Sequence, residues 1–173
     1  TESQYSTFNI ASKKRLFAGE SVMRKMKFLQ GLDPDLQQAL LIKLRNLWTH
    51  TSTAVEGNTL TLGETAFVLQ EGLTIGGKPL KDHQEVLGHA RAIDLLYNIL
   101  ETGHRFSVAD LFALHRAVQT DILIDIYNPV GDWKKEQNST VGVVNDRQII
   151  FEYARPEDVP ELMKKWFDLF YQY

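Results

Sequence analysis

A mainly α-helical fold carrying one short β-hairpin is what the 173 residues predict. Apolar residues recur at three- and four-residue spacing in successive segments, capping residues and glycines punctuate those segments, and strand-like runs gather around residues 140–153. With 43% hydrophobic and 24% charged residues, the chain can bury a core as one globular domain or most of one. Its 19 Lys and Arg against 22 Asp and Glu leave a net charge of −3, so no global basic field invites nucleic acid or an anionic membrane. The absence of cysteine excludes disulfides, thiolate catalysis and cysteine metal sites. No apolar run approaches the roughly 18 residues of a membrane span and no signal peptide is visible, so a cytoplasmic location is the expectation.

Taken in order, Thr1 to Ile10 lack periodicity and read as an arm. Residues 12–29, with Leu16, Met23 and Met26 on one face among many charges, predict a surface helix, and together residues 1–32 form an N-terminal region. The remainder, 33–173, reads as a single unit. Asp33-Pro34 is an N-cap followed by proline at the first helical position; Leu36, Leu40, Leu44, Leu47 and Trp48 then mark an apolar face of a helix running to about Val55 or Glu56. Gly57 and Asn58 suit the left-handed close of that helix, and Thr61 with Glu64 forms a capping box for the next, Leu62 to about Glu71, which Gly72 ends.

Gly76-Gly77-Lys78-Pro79 is a turn without the spacing of a phosphate loop. The longest clean helix follows, about Lys81 to Glu101, with Gly103 as its stop. His83 and His89 on it stand six apart, a poor spacing for a metal pair, which is usually four apart on one face. Ser107 with Asp110 starts another helix, on which His115 shares a side with Leu111, Phe112 and Val118 and is expected to be partly buried. Thr140 to Val144 and Arg147 to Tyr153 flank Asn145-Asp146 as a hairpin, spanning 140–153 in all.

A last helix, from about Glu157, carries Val159, Leu162, Met163, Trp166, Phe167 and Phe170 on a face too broad to leave bare. Something is expected to pack on Trp166, Phe167 and Phe170: further residues of a longer protein, of which this chain is a portion, or a partner subunit, with a homodimer as one form.

Glu56 stands out because a carboxylate in the last turn opposes the negative end of the helix dipole by roughly 0.3 to 1 kcal/mol, which a cationic partner would offset. Ser52, four residues earlier, projects from the same face. Spacing alone leaves Glu56 as either a solvated carboxylate or one held for a cation.

The run Ser52-Thr53-Ala54-Val55-Glu56-Gly57, continued by Asn58-Thr59-Leu60-Thr61-Leu62 and Glu64, resembles the inhibitory-helix motif of the Fic (filamentation induced by cAMP) family. Asp82 to Ala90, His115-Arg116, Gly131-Asp132-Trp133-Lys134 and Pro156-Glu157-Asp158-Val159 extend the resemblance from about residue 40 to the end of the chain. It implies a Fic-like helical domain, its N-terminal and central part, with the hairpin as the flap that receives a target peptide and with Val144, Asn145, Ile149, Ile150 and Phe151 as its target- or nucleotide-facing residues. It further implies transfer of AMP from ATP, with magnesium, to a Ser, Thr or Tyr hydroxyl of a target protein. Ser52, Glu56, Gly57 and Asn58 would be the inhibitory, ATP-proximal residues, with Glu56 as brake.

The family's His-Pro-Phe-x-(Asp/Glu)-Gly-Asn-Gly-Arg motif does not occur here, so no catalytic residue and no metal ligand is assigned to this chain. Two other readings compete. One is a catalytically silent Fic-like module whose hairpin binds an extended peptide. The other is a winged-helix nucleic-acid binder, which the acidic balance opposes.

Overall fold

The computed structural model describes residues 26–119 and 129–172. Five α-helices and one antiparallel hairpin make up the architecture of those residues, as the periodicities require: α1 Pro34–Val55, α2 Leu62–Glu71, α3 Leu80–Thr102, α4 Val108–Val118, β1 Ser139–Val144, β2 Arg147–Glu152 and α5 Val159–Phe170. Of the surface helix expected over 12–29, residues 12–25 lie outside the described residues, as does the arm before it; Lys27–Leu29 form one 3-10 turn with Leu29 buried. The chain divides into two compact units, Thr1–Thr120 and Asp121–Tyr173.

Local chemistry sets the boundaries in the first unit. Asp33 Oδ1 accepts from the Asp35 amide at 2.9 Å to open α1. A reciprocal box opens α2: Thr61 Oγ1 accepts from the Glu64 amide at 3.2 Å while Glu64 Oε2 accepts from the Thr61 amide at 2.7 Å. That amide bond is the first reason the Glu64 carboxyl titrates below its ordinary value. Ser107 and Asp110 build the same box on α4. Gly72 and Gly103 close α2 and α3 at φ 70° and 65°, a conformation glycine adopts without strain.

Leu60, Val68 and Val86 form the buried centre between α2 and α3, with Leu69 and Ile75 packed on it. The apolar face read from α1 is only half buried, at Leu40 and Leu44. Leu36, Leu47 and Trp48 are exposed, while Leu41, Asn46, Thr49 and Thr53 are buried. The reason is a polar seam: Arg45 and Thr49, one turn apart on α1, meet α3 in antiparallel order, with Arg45 Nη2 donating to Asp94 Oδ2 at 2.7 Å and Thr49 Oγ1 lying 3.3 Å from His89 Nδ1. Burial holds the Asp94 carboxyl above its usual value even with Arg45 opposing.

α4 touches α3 most closely at Gly88, where a Cβ would stand 2.8 Å from the carbonyl oxygens of Ala117 and Val118. No residue of α4 is buried, and His115 is exposed rather than partly buried.

In the second unit the hairpin turns through Asn145 and Asp146 at φ 51° and 59°, the left-handed pair of a type I′ turn. β1 and β2 pair from Val144 with Arg147 to Ser139 with Glu152. On α5, Trp166 stacks on Phe170 at 5.2 Å and meets Phe167 edge-on at 5.1 Å. Of the three aromatics expected to await a covering partner, Phe167 is buried; the bare wall is Leu162, Trp166, Leu169 and Phe170.

Candidate functional site

The close of α1 builds a pocket of about 320 Å³ in the first unit, lined by Ser52, Thr53 and Glu56 from α1, Lys81, Glu85 and His89 from α3, and Val118 and Gln119 at the end of α4. Helical spacing explains the two polar walls. Ser52 and Glu56 are one turn apart on α1, and Lys81, Glu85 and His89 follow at four-residue steps on α3. Ser52 and Glu56, singled out from the sequence, are thus brought together.

Glu56 is the C-cap residue of α1. Its carboxylate has no ion-pair or hydrogen-bond partner among the described residues, and the residue is exposed at the pocket mouth. The neighbouring cation is already engaged, since Lys81 Nζ lies 3.3 Å from Glu85 Oε1. Burial pushes His89 below the ordinary histidine value, so the imidazole is neutral at neutral pH. Two carboxylates therefore face one ammonium, an environment that favours an added cation over an added anion.

Gly57 and Asn58 do not line this pocket; they fasten its floor. Gly57 takes φ 92° to turn the chain off the helix. Asn58 Nδ2 donates to the Asp82 carbonyl at 2.9 Å and to Glu85 Oε2 at 3.0 Å, so Glu85 joins the pocket wall to the turn after Glu56. Asp82 Oδ2 accepts from the Thr59 hydroxyl at 2.6 Å and the Thr59 amide at 2.8 Å. The Thr59 hydroxyl is the first reason the Asp82 carboxyl is held below the usual carboxylate value. Lys78 Nζ donates to the Thr59 carbonyl at 2.6 Å.

The histidines of α3 divide. His83 is buried with both ring nitrogens in use: Nε2 accepts from the Ile75 amide and Nδ1 donates to the Pro79 carbonyl, each at 2.8 Å, which fixes a neutral tautomer in a structural role. His89 instead faces the pocket. Lys81 and Glu85 are wall residues that sequence reasoning missed, and His89 figures there only as a metal ligand; their four-residue spacing is visible, but nothing in the sequence says which helix they confront.

The five hairpin residues named from the sequence do not share a face. Val144, Ile149 and Phe151 lie together with Gly142 on one face, Ile150 lies on the other, and Asn145 is in the turn. Phe151 covers Gly142, where a Cβ would stand 2.8 Å from the ring.

As a metal–nucleotide site the pocket of the first unit does not fit by itself. It holds no unpaired ammonium or guanidinium among the described residues, and no group of three or more His, Asp or Glu side chains placed for a metal occurs among them. No described helix is long and apolar enough to cross a membrane.

No family model matches the chain. It is 38% identical over 74 residues to protein adenylyltransferase fic-1 of Caenorhabditis briggsae, a stretch covering 42% of this chain and 15% of that protein. It is 33% identical over 67 residues to protein adenylyltransferase Fic of Drosophila erecta, covering 39% and 14%. Among solved structures, a Fic-domain-containing signaling protein from Bacteroides thetaiotaomicron superposes with a TM-score of 0.71 at 28% identity, over 87% of this chain and 55% of that one. Fic-1 (aa134–508) from C. elegans gives a TM-score of 0.59 at 25% identity, over 94% and 44%. The chain thus spans about 15% of the length of the curated worm relatives it matches.

Proposed function

Because the chain belongs to the Fic family, we propose that it is part of a protein adenylyltransferase that moves AMP from ATP onto a hydroxyl of a target protein, and that Glu56 restrains that activity. One observation carries the reading. Glu56 is an unpartnered carboxylate at a fastened helix end, in a pocket where acid outnumbers base. Such a group is placed to receive a guanidinium from outside the described residues. The names of the curated relatives support the activity class; ATP as the AMP donor and magnesium with it are part of this proposal. The pocket offers one cation, Lys81, already paired with Glu85, so in this reading ATP and magnesium need further groups to hold them.

The hairpin is the target-binding flap in this reading. The bare wall of Leu162, Trp166, Leu169 and Phe170 on α5 is where further residues of the Fic domain pack, in keeping with the 55% share of the Bacteroides structure that this chain accounts for.

The test is Glu56→Gln and Glu56→Gly in the full-length protein, with radiolabelled ATP. Losing one partner of a buried pair costs roughly 3 to 5 kcal/mol; for a residue as exposed as Glu56 about 1 to 2 kcal/mol is appropriate, a rise of about 5- to 30-fold in labelling. Unchanged labelling in both variants would remove the restraint from the account.

A further inference from the structure

A second cavity of the first unit, about 430 Å³ in volume, lies between α1 and α2 and shares no lining residue with the pocket at Glu56. From α1 it takes Ala39, Ile42, Lys43, Asn46 and Leu47, and from α2 Leu62, Ala66 and Gln70. The α1 positions fall at i, i+3, i+4, i+7 and i+8 and those of α2 at i, i+4 and i+8, so each helix contributes one continuous face. The two alanines are the smallest side chains of the lining, and they leave room that Ile42, Leu47 and Leu62 wall with hydrocarbon. Its volume sits at the small end of the about 300 to 1,000 Å³ usual for ligand sites.

The polar members of the lining have nothing to bind. Asn46 is only 5% exposed, yet its amide makes no hydrogen bond among the described residues, and its Oδ1 is buried without a partner. Leaving such a group unsatisfied costs the fold stability, and a leucine would fill a similar volume without that cost. Gln70 and Lys43 have no hydrogen-bond or ion-pair partner among the described residues either. The positions three and four away from Lys43 on α1 are Ala39, Leu40, Asn46 and Leu47, so its own helix offers it no carboxylate.

The chemistry of these groups selects the occupant. An ammonium and two side-chain amides present mostly N–H donors, and no acidic residue lines the cavity. A turn about the Asn46 Cβ–Cγ bond exchanges its carbonyl and amino ends, so either can meet a ligand. One cation matches a single negative charge, whereas a phosphate dianion calls for several cations or an arginine fork. The apolar members are aliphatic throughout.

We propose that the cavity between α1 and α2 binds a small aliphatic carboxylic acid, its chain against Ile42, Leu47 and Leu62 and its carboxylate held by Lys43 and the Asn46 amide. Nothing in this assignment depends on the adenylyltransferase reading.

The probes are octanoate and its uncharged counterpart octanamide, titrated by calorimetry into the full-length protein far below micelle-forming concentrations. Octanoate should bind saturably at one site, and octanamide about fivefold more weakly for want of one exposed ion pair. Lys43→Met should abolish that preference. Ala39→Leu, at an exposed helical position, and Ala66→Leu fill the hollow and should each lower octanoate affinity about tenfold. Asn46→Leu should lose binding by a similar factor while raising Tm, because hydrocarbon replaces a stranded amide. A purely structural Asn46 predicts the opposite sign of the Tm change. Absence of saturable binding, equal affinity of the wild type for acid and amide, undiminished binding in the two filled variants, or a lower Tm for Asn46→Leu would each overturn the proposal.

Discussion

Replacing Gly88 by alanine sets two effects of known sign against each other. Alanine is a better helix former than glycine by about 1 kcal/mol, so in the middle of an exposed helix the change stabilises. Here the new Cβ would stand 2.8 Å from the carbonyl oxygens of both Ala117 and Val118 and 3.3 Å from the Val118 carbonyl carbon. These are backbone atoms, which cannot rotate aside. Reaching ordinary contact near 3.4 Å requires the end of α4 to move by several tenths of an ångström. Overpacking of this kind costs about 1 to 3 kcal/mol, so the net expectation is a loss of about 1 kcal/mol.

For a chain of this size that loss corresponds to a fall in Tm of about 2 to 4 °C. Urea unfolding followed by circular dichroism at 222 nm should show a lower midpoint at unchanged slope. Val118 and Gln119 line the pocket at Glu56, so the variant should also disturb the environment of His89. A gain of about 1 kcal/mol, the bare propensity effect, would refute the close approach of α3 and α4 and with it the shape of the pocket's third wall.

Three further outcomes are expected. Thr59→Val removes the hydroxyl that holds Asp82; a hydrogen bond to a charged group contributes about 1.5 to 3 kcal/mol, and urea midpoints at neutral pH should fall accordingly. Because the folded Asp82 carboxyl lies below its ordinary value, its contribution is present above the unfolded value and is lost as pH falls through the folded one. Wild type and Thr59→Val should therefore converge in stability in acid. Arg45→Met should cost about 1 to 2 kcal/mol by stranding Asp94. The Asp94 carboxyl, already raised by burial, should then titrate higher still, as a carboxyl chemical-shift titration would show. In the full-length protein the Trp166 fluorescence should lie to the blue of its position in the isolated chain, with Trp48 and Trp133 replaced by phenylalanine to isolate it; an unchanged spectrum would count against a covered α5 wall.

The sequence by itself determined the elements and their ends. Asp33-Pro34, the Thr61 and Glu64 box, the Ser107 and Asp110 box, Gly72 and Gly103 act through hydrogen bonds and torsions within a few residues, so the structure returns them where local chemistry places them. The hairpin was legible for the same reason, since Asn145-Asp146 is a local turn signal.

Only the tertiary structure decided which sides of those elements meet. α1 leaves Leu36, Leu47 and Trp48 exposed and buries Leu41, Thr49 and Thr53, while Arg45 finds Asp94 on α3 and Thr49 and the edge of Trp48 reach His89 there. Hydrophobic periodicity cannot register a polar seam of this kind, whose favourable energy exists only when both helices are present. The same holds for the pocket: Ser52 and Glu56 could be placed on one face from their spacing, but Lys81, Glu85 and His89 acquire meaning only when α3 is laid antiparallel along them. Covalent neighbours fix where a helix starts and stops; its orientation about its own axis is settled by partners distant in sequence.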